Sequence, residues 1–269
     1  MGRIANRKDE LALFDQMLRG VRPHRILLLE GPSERGKSFL LAELTLLAEE
    51  LLGRRCYASA SFKGGLSLAE FFARVCSDLG EEIFASYTRI PPHVFGQANV
   101  NVNMADAKFG DHNRVSVQAN IPPCSQVSVQ RLGEAILKDL RSWSKPLALF
   151  VDTFEAATDE ASRWTIQQFL PALCRNQHLC VVLAGQRVPS PGDFEPTWGR
   201  LAIRRLLEPV TSVDDWHEFA CSRHPAFPRG EIETLCQGKL WNYPSVMRDF
   251  IETRVLQLPP RNARGGVLA

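Results

Sequence analysis

The sequence contains no run of 18 or more uncharged apolar residues, so it offers no segment typical of a transmembrane helix. Its first residues, MGRIANRKDELALF, lack the long apolar stretch of a signal peptide. An excess of one charge is also missing, because 32 basic and 30 acidic residues give a formal net charge of +2. No overall field therefore points to nucleic acid or to an acidic surface. We expect a cytoplasmic protein with no membrane contact and no indicated nucleic-acid partner.

The cysteines lack the pattern of a disulfide framework. There are seven, an odd number, with no short repeated spacing, which favours reduced core thiols in an intracellular protein. Cys221, His224 and Cys236 lack a fourth ligand for zinc, so we expect no metal there. What is present is an ordinary globular composition, 45% hydrophobic over 269 residues, which allows one large domain or one domain with a small satellite.

Short apolar runs alternate with helical patterns along most of the chain. The runs at 25–30, 146–155 and 179–187 are almost continuously apolar, the run at 56–62 alternates, and 200–207 is a weaker fifth candidate strand. Such runs are typical of parallel strands buried on both faces. The sequence therefore predicts an α/β fold of three layers, with a parallel sheet between helices.

Two regions depart from this rhythm. Residues 99–119 alternate with a period of two around FGDH, which predicts a β-hairpin inserted at about 97–121. This hairpin either covers the core or offers an edge to a partner chain. After Pro209 the pattern is helical, with Thr211 or Ser212 as N-cap.

A later helical segment, YPSVMRDFIETRV, places Val246, Met247, Phe250 and Ile251 on one predicted apolar stripe. We expect a small helical lid here. The predicted division is a core at 1–208, a lid subdomain at 209–257 and a flexible tail at 258–269.

The stretch GPSERGKS matches the pattern G-x-x-x-x-G-K-[ST] between an apolar strand and an amphipathic helix. Glycines let main-chain N–H groups turn toward phosphate oxygens, and the positive end of the following helix points to the same place. Lys37 would reach the β and γ phosphates, and Ser38 would ligate Mg²⁺. The alternative is a chance match in a loop. The predicted nucleotide-binding residues are Gly31, Pro32, Ser33, Glu34, Arg35, Gly36, Lys37, Ser38 and Phe39.

Three further residues follow apolar strands and are candidates for catalysis. Asp152 ends LALFVD and would be the second magnesium ligand, unless it only caps a helix. Glu155 is the nearby acid that could orient an attacking water, or it is a first-turn glutamate stabilised by a helix dipole. Arg187 ends VVLAGQR, where a guanidinium could sense a γ phosphate, or it is an ordinary exposed arginine.

These motifs together resemble one family, the signal-transduction ATPases with numerous domains (STAND), which are related to the origin-recognition branch of the AAA+ ATPases. NRKDELALFDQML resembles their N-terminal GR-x-x-E-L helix, and GPSERGKS and LFVDTFE resemble their Walker A and Walker B motifs. AGQR is similar to their G-x-R sensor, and WNYPSVMRDF to the G-x-P segment of their lid.

The resemblance implies a P-loop NTPase core that binds ATP or ADP with Mg²⁺. It also implies that Arg7 lies near the adenine and that Pro244 packs near the base or ribose, although Asn242 stands where the family usually has glycine. Because Thr153 replaces the second acid of strongly hydrolysing relatives, slow turnover is implied.

In such proteins ADP locks a closed monomer, and exchange for ATP allows homo-oligomerisation that triggers an effector. The resemblance therefore implies a nucleotide-controlled switch in signalling or defence, with effector or sensor domains in a longer protein or a partner chain. One alternative is an AAA+ ATPase that regulates DNA transactions, for which Arg204 and Arg205 are candidate arginine fingers. Another is a scaffold that retains ADP without hydrolysing it.

Overall fold

A five-stranded parallel sheet forms the centre of the protein. The structure, a computed structural model, describes residues 5–53, 55–80, 82–90, 126–173, 175–190 and 196–258. The strand order is β2-β3-β4-β1-β5, which confirms the predicted α/β class and parallel sheet. The strands are β1 (Ile26–Glu30), β2 (Tyr57–Ser61), β3 (Leu147–Asp152), β4 (Leu179–Gly185) and β5 (Ala202–Leu206).

Helices occupy the connections between the strands and continue after the last one. One of them, α5, is a long helix that the sequence patterns did not single out. The predicted hairpin at 97–121 lies outside the described residues. The helices are α1 (Lys8–Leu18), α2 (Lys37–Leu52), α3 (Leu68–Leu79), α4 (Ala85–Thr88), α5 (Gln126–Ser142), α6 (Asp159–Trp164), α7 (Leu170–Leu173), α8 (Pro196–Gly199), α9 (Val213–Arg223), α10 (Arg229–Gln237) and α11 (Pro244–Gln257).

The two faces of the sheet bury two separate apolar cores. Alternate side chains of β1 point to opposite faces, so Leu27 and Leu29 pack with α1 and α2, whereas Ile26 and Leu28 pack with α3, α5 and α6. Both cores are closed by residues with essentially no exposure, such as Phe14 on one side. The sheet therefore lies between two helical layers, as the sequence predicts.

Local sequence signals explain where several helices begin. The side chain of Ser67 accepts the N–H of Glu70 while the carboxylate of Glu70 accepts the N–H of Ser67, a complete capping box at the start of α3. The side chain of Ser212 accepts the N–H of Asp215 at the start of α9, so Ser212 rather than Thr211 is the N-cap.

Helices α9, α10 and α11 share a third apolar core that is separate from the other two. Met247 and Ile251 of α11 are fully buried in it. The predicted four-residue stripe was too wide, because Val246 and Phe250 are 48% and 38% exposed. Each precedes its buried neighbour by one position, a turn of about 100° around the helix axis, which carries it off the packed face. The boundaries of a lid subdomain at 209–257 and of a tail from 258 stay predictions.

Strand β5 forms one edge of the sheet and carries two arginines. Arg204 and Arg205 are both exposed on it, and the guanidinium of Arg204 lies 2.6 Å from the carboxylate of Glu30 at the end of β1. Arg204 therefore has a partner inside its own chain. Across the described ranges, we find no helix with the length and apolar character that spanning a membrane requires.

Candidate functional site

The loop between β1 and α2 lies at the carboxyl edge of the sheet. Steric constraints explain why glycine occurs at both Gly31 and Gly36. Gly36 has a φ of +78°, a left-handed conformation that costs glycine little. Gly31 donates its N–H to the carbonyl of Gly185 at the end of β4. A Cβ at Gly31 would lie 3.2 Å from the carbonyl oxygen of Leu207, so a side chain there would press on the segment after β5.

Lys37 is buried inside this loop. Its Nζ donates hydrogen bonds to the carbonyl oxygens of Gly31 and Pro32, both at 2.6 Å. Burial lowers the pKa of the ammonium group, while the nearby carboxylates of Glu155 and Asp152 act to raise it. An anion that enters the loop would therefore contact the Lys37 ammonium. A phosphate group would offer this ammonium stronger hydrogen-bond acceptors than the two carbonyl oxygens.

Ser38 and Asp152 meet although their elements are far apart in the sequence. The hydroxyl of Ser38, on the first turn of α2, donates to Oδ2 of Asp152 at 2.8 Å. Oδ1 of Asp152 accepts the N–H of Thr153 at 2.8 Å, and Thr153 has a left-handed φ of +56°. The two side chains that the sequence predicts as magnesium ligands are therefore adjacent.

The residues at this position fit a magnesium ion bound together with phosphate. Mg²⁺ prefers oxygen ligands and usually takes one or two protein groups, with water and phosphate completing its shell. The Ser38 hydroxyl and the Asp152 carboxylate supply such a pair. Within the described ranges there is no group of three or more His, Cys, Asp or Glu side chains that could hold a metal without phosphate.

Glu155 is held beside the end of β4. Its Oε2 accepts the main-chain N–H of Gln186 at 2.8 Å. A Cβ at Gly185 would lie 2.6 Å from this same oxygen and 2.8 Å from the carbonyl of Arg187, so only glycine fits at this point. The carboxylate that the sequence predicts as the water-orienting group is thus fixed by a turn that requires glycine.

Gln186 joins Glu155 to the loop after β1, and the sequence reasoning passed over it. Its side-chain amide donates to the hydroxyl of Ser33 at 2.9 Å, while its main-chain N–H binds Glu155. The signal that could have found it is its position as the first polar residue after β4. A side chain there reaches the same sheet edge as the loop.

Arg187 lies on the outer side of this turn. It is exposed and lines a cavity of about 530 Å³ together with Glu155, Asp159 and Gln186. Residues 31–38 are all described, and none of them lines this cavity. The side chain of Gln186, rather than that of Arg187, is the one in contact with the loop. The sensing role of Arg187 stays a prediction.

A second cavity of about 580 Å³ lies between the start of α2 and the helices α9 and α11. Its volume falls within the range of small-molecule sites. Arg7 and Pro244, both predicted on the nucleotide side, line it together with Phe39 and Trp216. The guanidinium of Arg7, however, donates to two main-chain carbonyls, those of Arg35 at 3.1 Å and Glu208 at 2.8 Å.

Arg248 is another residue that the sequence reasoning missed. Arg248 lies on α11, and its guanidinium carbon is 4.2 Å from the centre of the Phe39 ring. Phe39 directly follows the phosphate-binding motif. This cation–π contact joins α11 to α2 across the cavity. The available signal was its spacing, one turn after Pro244 on the same helix.

Comparisons with known proteins support the fold. Neither protein-family models nor curated proteins give a match to the sequence. Among solved structures, a Walker-type ATPase of Pyrococcus abyssi matches 94% of this chain and 72% of its own, with a TM-score of 0.51 and 16% identity. Cdc6p of Pyrobaculum aerophilum matches 96% of this chain and 63% of its own, with a TM-score of 0.55 and 12% identity.

The chain is thus similar in fold to proteins of the Walker-type and Cdc6 kind, and it spans less than two thirds of Cdc6p. Together with the five-stranded parallel sheet, these similarities show a P-loop NTPase fold. At these identities the likeness concerns the fold alone.

We expect Gly185→Ala to lower the free energy of unfolding by about 1–3 kcal/mol, because the added methyl group overpacks the turn against Glu155 and Arg187. Denaturant unfolding followed by circular dichroism measures this. Gly230→Ala is the matched control, since a Cβ there has no neighbour within 4 Å. Equal stability of the two variants would contradict the crowding that we describe at Gly185.

Proposed function

We propose that this chain is an ATP-binding P-loop ATPase of the AAA+ type, which binds Mg·ATP and hydrolyses it slowly. The observation that carries the proposal is the meeting of Ser38 with Asp152 at 2.8 Å beside a loop that holds the buried ammonium of Lys37. A hydroxyl, a carboxylate and a lysine at one sheet edge supply the protein groups that bind a nucleotide's metal and phosphates. The P-loop NTPase fold supports the same conclusion.

The proposed roles follow from position. The loop from Gly31 to Phe39 surrounds the phosphates, and Lys37 neutralises the negative charge of the β and γ phosphates. Ser38 and Asp152 hold Mg²⁺, which when bound neutralises phosphate charge. Glu155 orients the attacking water through the oxygen that does not bind Gln186, and Arg187 responds to the γ phosphate.

The surroundings of Asp152 and Glu155 support slow turnover. Asp152 is followed by Thr153, so no second carboxylate adjoins it in sequence. Glu155, the remaining acid, has one oxygen engaged by the N–H of Gln186. Glu155 is therefore held against the turn after β4, and its other oxygen is the acceptor that remains for a water.

The cavity of about 580 Å³ is where we place the base and the ribose. Phe39 and Arg35 come from the core, whereas Trp216 and Pro244 come from α9 and α11. A ligand that contacts both the core and the helices α9 and α11 stabilises the arrangement in which these two parts close on it. Control of a lid by nucleotide is therefore part of the proposal.

Two settings for such an ATPase follow from the sequence. Similarity in fold to Cdc6p favours the AAA+ ATPase that regulates DNA transactions over the STAND-type switch in signalling or defence. We propose the setting in DNA transactions. In either setting, the protein oligomerises on ATP binding and acts with further domains or partner chains. A cytoplasmic location remains part of the proposal.

We expect Lys37→Ala to weaken ATP binding by about 100-fold, since hydrogen bonds to charged groups contribute roughly 1.5–3 kcal/mol each. Isothermal titration calorimetry with Mg·ATP provides the measurement. Lys138→Ala removes an exposed lysine of α5 and serves as the control. An affinity of Lys37→Ala equal to that of the control would remove the phosphate role of the loop.

We expect Asp152→Asn to retain ATP binding within about threefold but to lower Mg²⁺-dependent phosphate release by at least about 100-fold, because an amide oxygen is a far weaker magnesium ligand than a carboxylate. Phosphate release with Mg²⁺ and with EDTA separates metal-dependent turnover from background. Turnover that is unchanged in Asp152→Asn would refute the assignment of this residue to the metal.

DNA is expected to stimulate ATP turnover at low salt, with the stimulation falling steeply between about 50 and 200 mM salt as counterions compete for the phosphates. Turnover with and without duplex DNA over this range provides the test, and heparin controls for a general polyanion effect. ATP-dependent oligomerisation without any stimulation by DNA would favour the signalling switch instead.

A further inference from the structure

Arg7 is a buried cation that binds main-chain groups from two distant segments. Arg7 directly precedes α1 and is only 7% exposed. One guanidinium nitrogen, Nη2, donates to the carbonyl of Arg35 in the phosphate-binding loop and to the carbonyl of Glu208 after β5. The guanidinium therefore joins three parts of the chain at one point.

The contact with Arg35 fixes the orientation of a peptide group inside the loop. In a planar trans peptide, the carbonyl of one residue and the N–H of the next point in opposite directions. With the Arg35 carbonyl turned to Arg7, the N–H of Gly36 points to the other side of the peptide. Gly36 also has the left-handed φ that this turn of the chain requires.

The contact with Glu208 reaches the linker between β5 and α9. In this linker the N–H of Leu207 donates to the carbonyl of Glu30 at 2.7 Å, and the carbonyl of Leu207 packs against Gly31. One end of the phosphate-binding loop thus touches Leu207 directly at Gly31, and its other end, at Arg35, is joined to Glu208 through Arg7. A shift in the loop must therefore move the linker as well.

The charge of Arg7 is supported from two sides. Burial lowers the pKa of its guanidinium, whereas Glu10 and Glu208 raise it. A guanidinium remains protonated under such conditions and offers five N–H donors in a fixed plane. A lysine side chain is one atom shorter than an arginine side chain, so its ammonium would not reach the position of Nη2, from which both carbonyls are bound.

We propose that Arg7 is a positioning residue that aligns the Gly36 N–H for a phosphate oxygen and couples the loop to the linker at 207–212. The inference rests on the proposed function, because it requires a nucleotide in the loop. This role is additional to the expected place of Arg7 near the adenine, because it depends on the two carbonyl contacts alone. Through the linker, the state of the loop reaches α9 and the helices packed with it.

The test compares Arg7→Ala, Arg7→Lys and wild type, with Lys8→Ala as matched control. Lys8 is the neighbouring cation and forms an exposed ion pair with Glu218 of α9, so its removal controls for charge between α1 and α9. We expect Arg7→Ala to weaken Mg·ADP binding roughly tenfold through loss of a charged hydrogen-bonding group. Calorimetry measures the affinity, and hydrogen exchange of residues 207–212 with and without Mg·ADP measures the coupling.

In wild type and Lys8→Ala, Mg·ADP should slow exchange in the linker, whereas Arg7→Ala should show no change on adding nucleotide. A residue that only stabilises the fold would alter exchange equally with and without nucleotide. Linker protection by Mg·ADP in Arg7→Ala, equal to that in wild type, would overturn the inference.

If circular dichroism shows that Arg7→Ala does not fold, Arg7→Lys decides. Loss of nucleotide-dependent linker protection in Arg7→Lys supports the inference, because the charge is retained while the reach to both carbonyls is lost. Behaviour equal to wild type overturns it. Failure of wild type itself to bind Mg·ADP would instead refute the proposed function, and the role of Arg7 with it.

Discussion

The hydrogen bond between Ser38 and Asp152 brings together two segments on which the whole site depends. Ser38 lies in the first turn of α2 after β1, Asp152 ends β3, and β4 lies between these strands in the sheet. Because all five strands are parallel, their carboxyl ends meet at one edge, and α2 packs over β3 and β4. The order of the strands therefore brings the loop, the acid and the turn after β4 into a single cleft.

Around this cleft, cations are held by main-chain carbonyls. Lys37 binds the carbonyls of Gly31 and Pro32 within the phosphate-binding loop, and Arg7 binds that of Arg35 from outside the loop. Carbonyl oxygens neutralise no charge, so both cations keep a field that an anion can use. The main-chain contacts order the loop, whereas the carboxylates near the two cations act on them only through charge.

Features that follow from local pattern were predicted from the sequence, and features that arise from the meeting of distant segments were not. The phosphate-binding motif, strand β1 and the cap at Ser67 are encoded within a few residues of one another. The contact of Gln186 with Ser33 joins residues 153 positions apart, and that of Arg248 with Phe39 depends on how α11 lies against α2. The periodicity of the sequence reveals neither which distant residues come into contact nor how one helix lies against another.

The two arginines on the edge strand β5 affect how this protein meets other chains. An edge strand offers unpaired main-chain groups to any extended segment, and charged side chains along it are a common protection against such pairing. With Arg204 and Arg205 exposed on β5, another strand added at this edge would have to accommodate two guanidinium groups. Self-association by extension of the sheet is thereby discouraged at the β5 edge, so that β2 is the other edge at which an extended segment could add.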